Sequence, residues 1–318
     1  HAVNRGKRSV VLDMKDAADL ARLKALVAEA DILVQNLRPG ALDAAGLSAE
    51  ALRAAHPRLI YCSLWAYGNT GPMKMDPGYE LTIQAFSGMF AINGSEEGPP
   101  SRVGLNLLDQ GTGMWAAIGC LAALQRRALT GQGSVVDASL LETSLAWMSL
   151  QIAQYQKTRV VPARDRMGAP RAVVFAGFVA ADGELVIAAG NDRLFGKLAG
   201  CLGHAEWATD PRFATNRARL EHKAELFAAI GAVIATRPLA HWEDTLGAAG
   251  IPCSAINDVR IVDDDPQIAA LGIVGAPPGS DLPLVGFPLS FDGQRPGARS
   301  AAPKLGADAP VPPARTTP

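Results

Sequence analysis

The 318-residue chain is short of several things. It has only four cysteines, Cys62, Cys120, Cys201 and Cys253, spread widely and with no Cys-x-x-Cys spacing. The simplest reading is a reduced, cytoplasmic protein rather than a disulfide scaffold. Its five histidines (His1, His56, His204, His222, His241) show no metal-ligand spacing, so no metal site is expected. Charge of one sign is missing too: 30 basic and 31 acidic residues nearly cancel. That balance leaves neither a nucleic-acid footprint nor an acidic tail. No apolar run reaches membrane-spanning length, and the start carries no secretory pattern, so a membrane is not expected as a partner. No internal repeat is visible. What remains is ordinary soluble composition, 48% hydrophobic, and a length that suits a sizeable core divided into two lobes.

Periodicity orders the first half. Val10-Val11-Leu12 reads as a strand, residues 14–30 as an amphipathic helix with Leu20, Leu23 and Val27 on one face, and Asp31 to Gln35 as the next strand. A short helix around Leu52 precedes a third strand, Leu59 to Leu64. This alternation predicts an α/β class, a Rossmann-like parallel sheet with crossover helices. Ligands of such sheets sit at the carboxyl ends of the strands, here Gln35 to Gly40 and Trp65 to Gly71. A helical stretch spans Tyr79 to Ile92, another runs to about Leu129, and Ser134 to Asp137 is a strand. Ser139 to Glu142 has capping-box spacing and opens a further helix to about Gln156. Residues 158–172, rich in Arg and Pro, read as a linker. Asp182-Gly183 between Val173-Val174-Phe175 and Leu185-Val186-Ile187 is a hairpin signal. The domains expected are a large α/β domain over 1–157, the linker 158–172, a smaller α+β domain over 173–256, and a return segment 257–318 ending in an extended Pro/Ala-rich tail.

Asp109 is the most informative residue. It closes an apolar run from Val103 to Leu108 and precedes Gln110-Gly111-Thr112-Gly113 and a long helical pattern. One reading is a helix cap, a role Asp fills well. A second is a covalent nucleophile. Gly111 and Gly113 each cost about 1 kcal/mol relative to Ala inside a helix, which argues for close approach of another molecule or for exposed N–H groups. Such N–H groups can stabilise an oxyanion while the carboxylate attacks an acyl carbon and forms a mixed anhydride. A third is a dinucleotide site, an NAD-dependent oxidoreductase: Gly111 to Ala116 fits the glycine fingerprint, a possible strand precedes it, and Asp137 stands near the place of a ribose-binding acid. Against it, an acid at 109 would repel a pyrophosphate.

Other residues carry paired readings. Glu80 after Pro77-Gly78-Tyr79 is either a favourable charge at a helix start or a second carboxylate beside Asp109, with Tyr79 as a phenol in the same place. Lys7, Arg8 and Arg38 are solvated surface charge by default, and as a set near strand ends they can hold phosphates. Gly68 to Pro72 is a tight turn or a flexible rim. Asp263-Asp264-Asp265-Pro266 reads as a cap with Pro266 at the first helical position rather than as a metal site.

Together these residues resemble the family III CoA-transferases, the group of formyl-CoA:oxalate and carnitine CoA-transferases and the related 2-methylacyl-CoA racemases. The likeness runs over most of the chain. It rests on Asn4 to Ser9, Gln35 to Gly40, Pro57 to Ser63, Gly71-Pro72, Pro77 to Glu80, Arg102 to Gly104, Asp109 with its helix, and Gly131-Gln132-Gly133. Gly190 to Asp192, Asp210 to Phe213 and Gly250 to Cys253 extend it.

The resemblance implies that Asp109 is the catalytic carboxylate, with Glu80 and Tyr79 lining its site. Asn4, Lys7, Asn36 and Arg38 lie in segments that hold coenzyme A. The implied partners are an acyl-CoA, a carboxylic acid and a second copy in an interlocked homodimer. The family begins with a further strand–loop–helix unit that helps bind CoA and is absent here. Racemases of the group carry His where this chain has Tyr79, which favours transfer over racemisation. The glycine-rich loop of formyl-CoA transferase is not evident around Arg164 to Arg171, so no oxalate or formate specificity is implied. A non-catalytic CoA-binding protein remains a separate possibility.

Overall fold

The structure is a computed structural model that describes residues 1–95, 97–164 and 173–309. The chain forms two compact units. The first comprises His1–Ser87, Gly104–Leu150 and the segment from Arg260 onward; the second comprises Gly88–Val103 and Gln151–Val259.

The first unit opens with α1 (Ala17–Glu29), capped by Asp16, whose carboxylate accepts the N–H groups of Ala18 and Asp19. Strand β1 (Ile32–Gln35) follows, then two short helices, α2 (Ala41–Ala44) and α3 (Ala49–Ala55), and β2 (Ile60–Trp65). Next come α4 (Glu80–Phe86) and, in the second unit, α5 (Met89–Ile92). The single helical stretch expected over Tyr79 to Ile92 is therefore two helices. Gly88, at φ 92°, turns the chain between them in a conformation that costs glycine little. The long helix α6 (Leu107–Thr130) and β3 (Val135–Ser139) complete the sheet layer. The sheet order is β1-β2-β3, parallel throughout, with Ile32 opposite Ile60 and Tyr61 opposite Val135.

Both faces of this sheet are covered, which explains why four successive residues of β2, Ile60 to Ser63, are buried. Tyr61 and Leu59 pack with Val27, Leu42, Leu47 and Leu52. Ile60 and Cys62 point the other way, onto Ala116, Cys120 and Ala123 of α6. Small residues let α6 lie close: a Cβ on Gly119 would sit 2.7 Å from Val136 Cγ1. Gly131 ends α6 at φ 72°, and Gly133 passes so near β2 that a Cβ there would lie 2.0 Å from the Leu59 carbonyl oxygen. Ser139 then caps α7 (Leu140–Trp147), its hydroxyl accepting the Glu142 N–H at 3.1 Å. The reciprocal half of the expected capping box differs: the Glu142 carboxylate accepts from the Ser139 hydroxyl at 2.6 Å rather than from its backbone N–H.

Two expected strands do not form. Val10-Val11-Leu12 has no ladder partner, because β1 pairs with β2 alone. The neighbouring Ser9 bonds Asp308 instead, through its N–H at 2.8 Å and its carbonyl at 2.9 Å. The run ending at Asp109 is not a strand either. Leu107 and Leu108 already belong to α6, and Leu108 is fully buried.

The second unit continues through α8 (Ser149–Thr158), which begins at the boundary. Of the expected linker, residues 165–172 lie outside the described residues, as do most of the Arg164 to Arg171 stretch and the tail beyond residue 309. Strands β4 (Phe175–Val179) and β5 (Glu184–Ala188) form the hairpin around Asp182-Gly183, and β6 (Cys253–Ala255) pairs with β5, all antiparallel. Helices α9 (Asp192–Cys201), α10 (Asn216–Glu221), α11 (Lys223–Ile234) and α12 (Leu239–Ala248) supply the remaining core, with Phe195, Leu226, Ile230 and Leu246 buried among Phe178, Leu185 and Ile187.

Arg219 is fully buried here. It donates to the Asp192 carboxylate at 2.6 Å and the Phe213 carbonyl at 2.7 Å, and lies 4.4 Å over the Phe195 ring. After β6 the chain returns to the first unit as α13 (Ile261–Asp264) and α14 (Pro266–Leu271). Asp265 caps α14, with Pro266 at its first position.

Candidate active site at the start of the long helix

Asp109 sits in the first turn of α6, two residues past the first helical position, and its side chain is exposed. The N-cap is Asn106, which makes no side-chain cap bond. A helix start leaves its first N–H groups without intrahelical partners. Here a residue from another helix supplies the acceptors. Glu80, buried at the first position of α4, accepts the Leu108 N–H at 3.0 Å through Oε1 and the Asp109 N–H at 2.7 Å through Oε2. Gln84, one turn further along α4 and fully buried, donates its amide to Glu80 Oε1 at 2.7 Å.

The Asp109 carboxylate is therefore not the cap. Among the described residues it meets one donor, the Asn106 amide at 3.4 Å. Partial burial is the main cause holding its pKa above the ordinary 3.8, and the negative charge of Glu80 is the second. A raised pKa makes a carboxylate a better nucleophile once ionised.

The N–H groups expected to serve an oxyanion are mostly taken. Those of Leu108 and Asp109 go to Glu80, and that of Gln110 to the Asn106 carbonyl at 3.1 Å. The Leu107 N–H has no partner among the described residues. Tyr79 is 79% exposed, so its phenol stands in solvent just ahead of α4. Its backbone N–H donates to the Thr82 hydroxyl at 3.1 Å.

Gly111 and Gly113 lie inside the helix and do different things. A Cβ at 111 would meet Trp147 Nε1 at 2.8 Å and Thr143 Cγ2 at 2.9 Å, so this glycine admits α7. A Cβ at 113 would meet nothing within 4 Å. The dinucleotide arrangement needs a strand leading into a glycine loop, and neither is present at 111–113. Asp137, the ribose-acid candidate, is held by the Trp65 indole N–H and the Asn69 amide, each at 2.8 Å.

The residues assigned to coenzyme A are dispersed within the first unit. Arg38 lines a cleft of about 440 Å³ at the carboxyl ends of β1 and β2, with Lys74, Trp65 and Asp137. Asp43 and Glu50 line it as well. The Arg38 guanidinium has no partner among the described residues, whereas Lys74 lies 5.5 Å over the Trp65 ring. Trp65 opens the Trp65 to Gly71 strand end expected to face a ligand, whereas nothing local marks Lys74; only the fold brings it back to the end of β2. Asn36 is exposed. Lys7 donates to Asn4 at 3.0 Å, and Arg8 is tied to Asp308 at 3.4 Å.

Two of the cysteines, Cys62 and Cys253, are poor nucleophiles beside Asp109. Burial, with Cys120 beside it, pushes the Cys62 thiol up to about 12, and burial raises Cys253 as well. No group of three metal-ligating side chains occurs among the described residues, and no helix among them is long and apolar enough to cross a membrane.

A parallel sheet covered on both faces, with an exposed carboxylate in the first turn of the long helix packed on it, places the chain in the α/β class. The chain belongs to CoA-transferase family III, whose family model matches residues 1–309. It is 38% identical to the acetyl-CoA:oxalate CoA-transferase of Acetobacter aceti, over 95% of this chain and 78% of that protein. It is 34% identical to the succinate–glutarate CoA-transferase of Agrobacterium fabrum, over 96% and 77%. Among solved structures it is similar to a CAIB/BAIF family protein from Brucella suis, at 34% identity and a TM-score of 0.85, covering 96% of this chain and 81% of that one.

Proposed function

We propose that the protein moves CoA between an acyl-CoA thioester and a free carboxylic acid, with Asp109 as the temporary covalent carrier. The observation that carries this reading is the division of labour at α6: Glu80 satisfies the helix start, and the Asp109 carboxylate is left exposed with one distant donor. An Asp109 oxygen attacks the thioester carbonyl, the C–S bond breaks, and the thiolate leaves behind an acyl–aspartyl anhydride. The thiolate then attacks the aspartyl carbonyl and releases the donor acid, giving an aspartyl-CoA thioester. The acceptor carboxylate displaces the thiolate again, and the thiolate takes the new acyl group from the second anhydride. No net proton is consumed.

The relatives that act on oxalate, and on succinate and glutarate, support small carboxylic acids as acceptors. Tyr79, a phenol where the racemases of the resemblance carry an imidazole, supports transfer over α-carbon racemisation. We assign CoA to the Rossmann-like large domain of residues 1–157 with its return segment 257–318, and regard 158–172 as the linker to the small domain of 173–256. Arg38, Asn36, Lys7 and Asn4 are its proposed contacts there. The well-separated thiols suit a reducing compartment, the cytoplasm.

An interlocked homodimer is part of the same reading. Met114, Ile118, Leu121 and Leu129 leave one stripe of α6 apolar and exposed, with Trp115 and Trp147 beside its start. Contiguous apolar surface of this kind is what a second copy covers. A monomeric mass in sedimentation at micromolar concentration overturns the dimer.

The covalent step is tested by incubating the protein with acyl-CoA, trapping with hydroxylamine or borohydride, and mapping the modified peptide by mass spectrometry. Modification at Asp109, lost together with transfer in Asp109→Ala, is the expected result. Undiminished transfer by Asp109→Ala ends the proposal.

A further inference from the structure

The Glu80–Gln84 contact has no counterpart in what the helix start requires. Leu108 and Asp109 present two N–H groups, and the two oxygens of Glu80 already accept them at 3.0 and 2.7 Å. Gln84 adds a third donor, at 2.7 Å, to the oxygen that Leu108 already uses. Its side chain is fully buried on α4, where Ile83 beside it is an apolar core residue. A buried amide at such a position costs stability unless it is bonded, so an apolar side chain is the default occupant. A donor on one oxygen of a carboxylate fixes rotation about its terminal bond. With Oε1 held between Gln84 and Leu108, Oε2 can point only at the Asp109 N–H.

We propose that Gln84 is a positioning residue for acyl transfer: it orients Glu80, and through Glu80 it fixes the backbone that carries Asp109. This rests on the reading of Asp109 as the acyl carrier. Gln84 itself touches no reacting atom. It acts by holding the first turn of α6 so that the nucleophilic oxygen meets the thioester carbonyl in one geometry, and displacements below 1 Å at such a centre are felt strongly in rate.

The test uses Gln84→Met, which keeps the volume and removes the donor. Gln84→Asn keeps the amide but draws it back by one carbon. In both, kcat for transfer and the rate of Asp109 adduct formation at saturating acyl-CoA fall about tenfold, while KM for acyl-CoA stays within about twofold. A loss confined to kcat is not what general loosening of the fold gives, and the denaturation midpoint is recorded beside it. Glu80→Gln combined with Gln84→Met is no slower than Glu80→Gln alone, because both changes break one chain of contacts. Leu81→Ala, on the exposed side of the same helix, leaves kcat unchanged.

Wild-type kcat in both Gln84 variants, a loss carried by KM, or additive losses in the double variant overturn the proposal. If Gln84→Met does not fold, the same three outcomes are read from Gln84→Asn. A wild-type protein that forms no adduct at Asp109 overturns the carrier reading as well; an active wild type with unaffected Gln84 variants overturns only the role of Gln84.

Discussion

Glu80 holds Asp109 by its backbone and repels it by its side chain. Glu80 Oε2 accepts the Asp109 N–H at 2.7 Å, and the same carboxylate is the second cause, after burial, of the raised Asp109 pKa. The two effects act on different parts of one residue. The hydrogen bond fixes where Asp109 stands, and the charge makes its anion less comfortable there. A group that gains by losing its negative charge is suited to becoming an anhydride or a thioester, both of which are neutral at that position.

Asp109→Asn therefore uncouples stability from activity. An Asp whose folded-state pKa lies above its unfolded value costs stability at every pH above the raised value, and costs none once the pH is below the ordinary 3.8 and both states are protonated. The variant is the more stable protein at pH 7, and the gain fades as the pH falls into the acid range. Because Asp109 is exposed and screened, the gain is a few tenths of a kcal/mol rather than several. Thermal unfolding followed at pH 7 and at pH 3 checks it. A variant less stable than wild type at pH 7, or a difference that grows on acidification, contradicts the electrostatic reading of the pair.

Gly111 and Gly113, two residues apart, respond oppositely to the same change. Gly111→Ala gains about 1 kcal/mol of helix propensity. It also forces a methyl group to within 2.8 Å of the Trp147 ring nitrogen and 2.9 Å of a Thr143 methyl. Overpacking of that kind costs about 1–3 kcal/mol, so the net effect is destabilising. Gly113→Ala meets nothing within 4 Å and gains the propensity term alone, about 0.5–1 kcal/mol. Urea denaturation of the two variants, with opposite shifts in midpoint, is the measurement. If Gly113→Ala is more stable and yet slow in transfer, the open face at 113 is where substrate or the partner subunit comes close.

What the sequence made legible is local. Ser139 and Asp265 announce their helices within three residues, because capping is a contact between neighbours in the chain. The parallel sheet followed from alternating periods. The capping of α6 was not legible: its acceptor, Glu80, lies 28 residues before Leu108, and no spacing rule joins them. The same holds for Gln84, an ordinary polar residue until the fold buries it. Asp109 was singled out for its glycines, yet Gly111 makes room for Trp147 and not for a ligand. Val10 to Leu12 has strand composition without a strand's neighbour, and composition carries no record of which edges are free.

In the second unit the Gly190-Asn191-Asp192 motif has a structural purpose that a substitution exposes. Asn191 caps α9 by accepting the Leu194 N–H at 2.9 Å, and Asp192 pairs with the fully buried Arg219 at 2.6 Å. Removing the carboxylate leaves a buried guanidinium whose Nε already has no partner. Asp192→Ala lowers stability by about 1.5–3 kcal/mol, the worth of a hydrogen bond to a charged group. Asp192 is itself 59% exposed, which keeps the loss below that of a fully buried pair. Because Asp192 is on α9 and not on the acyl-carrying helix, kcat per folded molecule is unchanged. Denaturation midpoints and active-site titration of the residual folded fraction together decide the matter, and a fall in kcat without a fall in stability would move Asp192 into the site.

Arg38 separates binding from chemistry. Its guanidinium lies in the cleft at the strand ends and has no partner among the described residues, while Lys74 in the same cleft is placed over Trp65. An unpaired guanidinium in such a cleft is matched to phosphate oxygens, which it holds in bidentate fashion. Asp43, Glu50 and Asp137 on the same walls oppose an anion, and Arg38 and Lys74 are the cations that offset them among the lining residues. Arg38→Ala raises KM for acyl-CoA about tenfold and leaves kcat within about twofold, the signature of lost uniform binding. Arg38→Lys recovers only part of the loss, since a point charge does not reproduce the fork. The wild-type KM rises with added salt, and that dependence flattens in Arg38→Ala as a screened charge contact is lost. A loss of kcat with KM unchanged would instead put Arg38 beside the reacting carbonyl, and an unaltered KM would remove it from the CoA site.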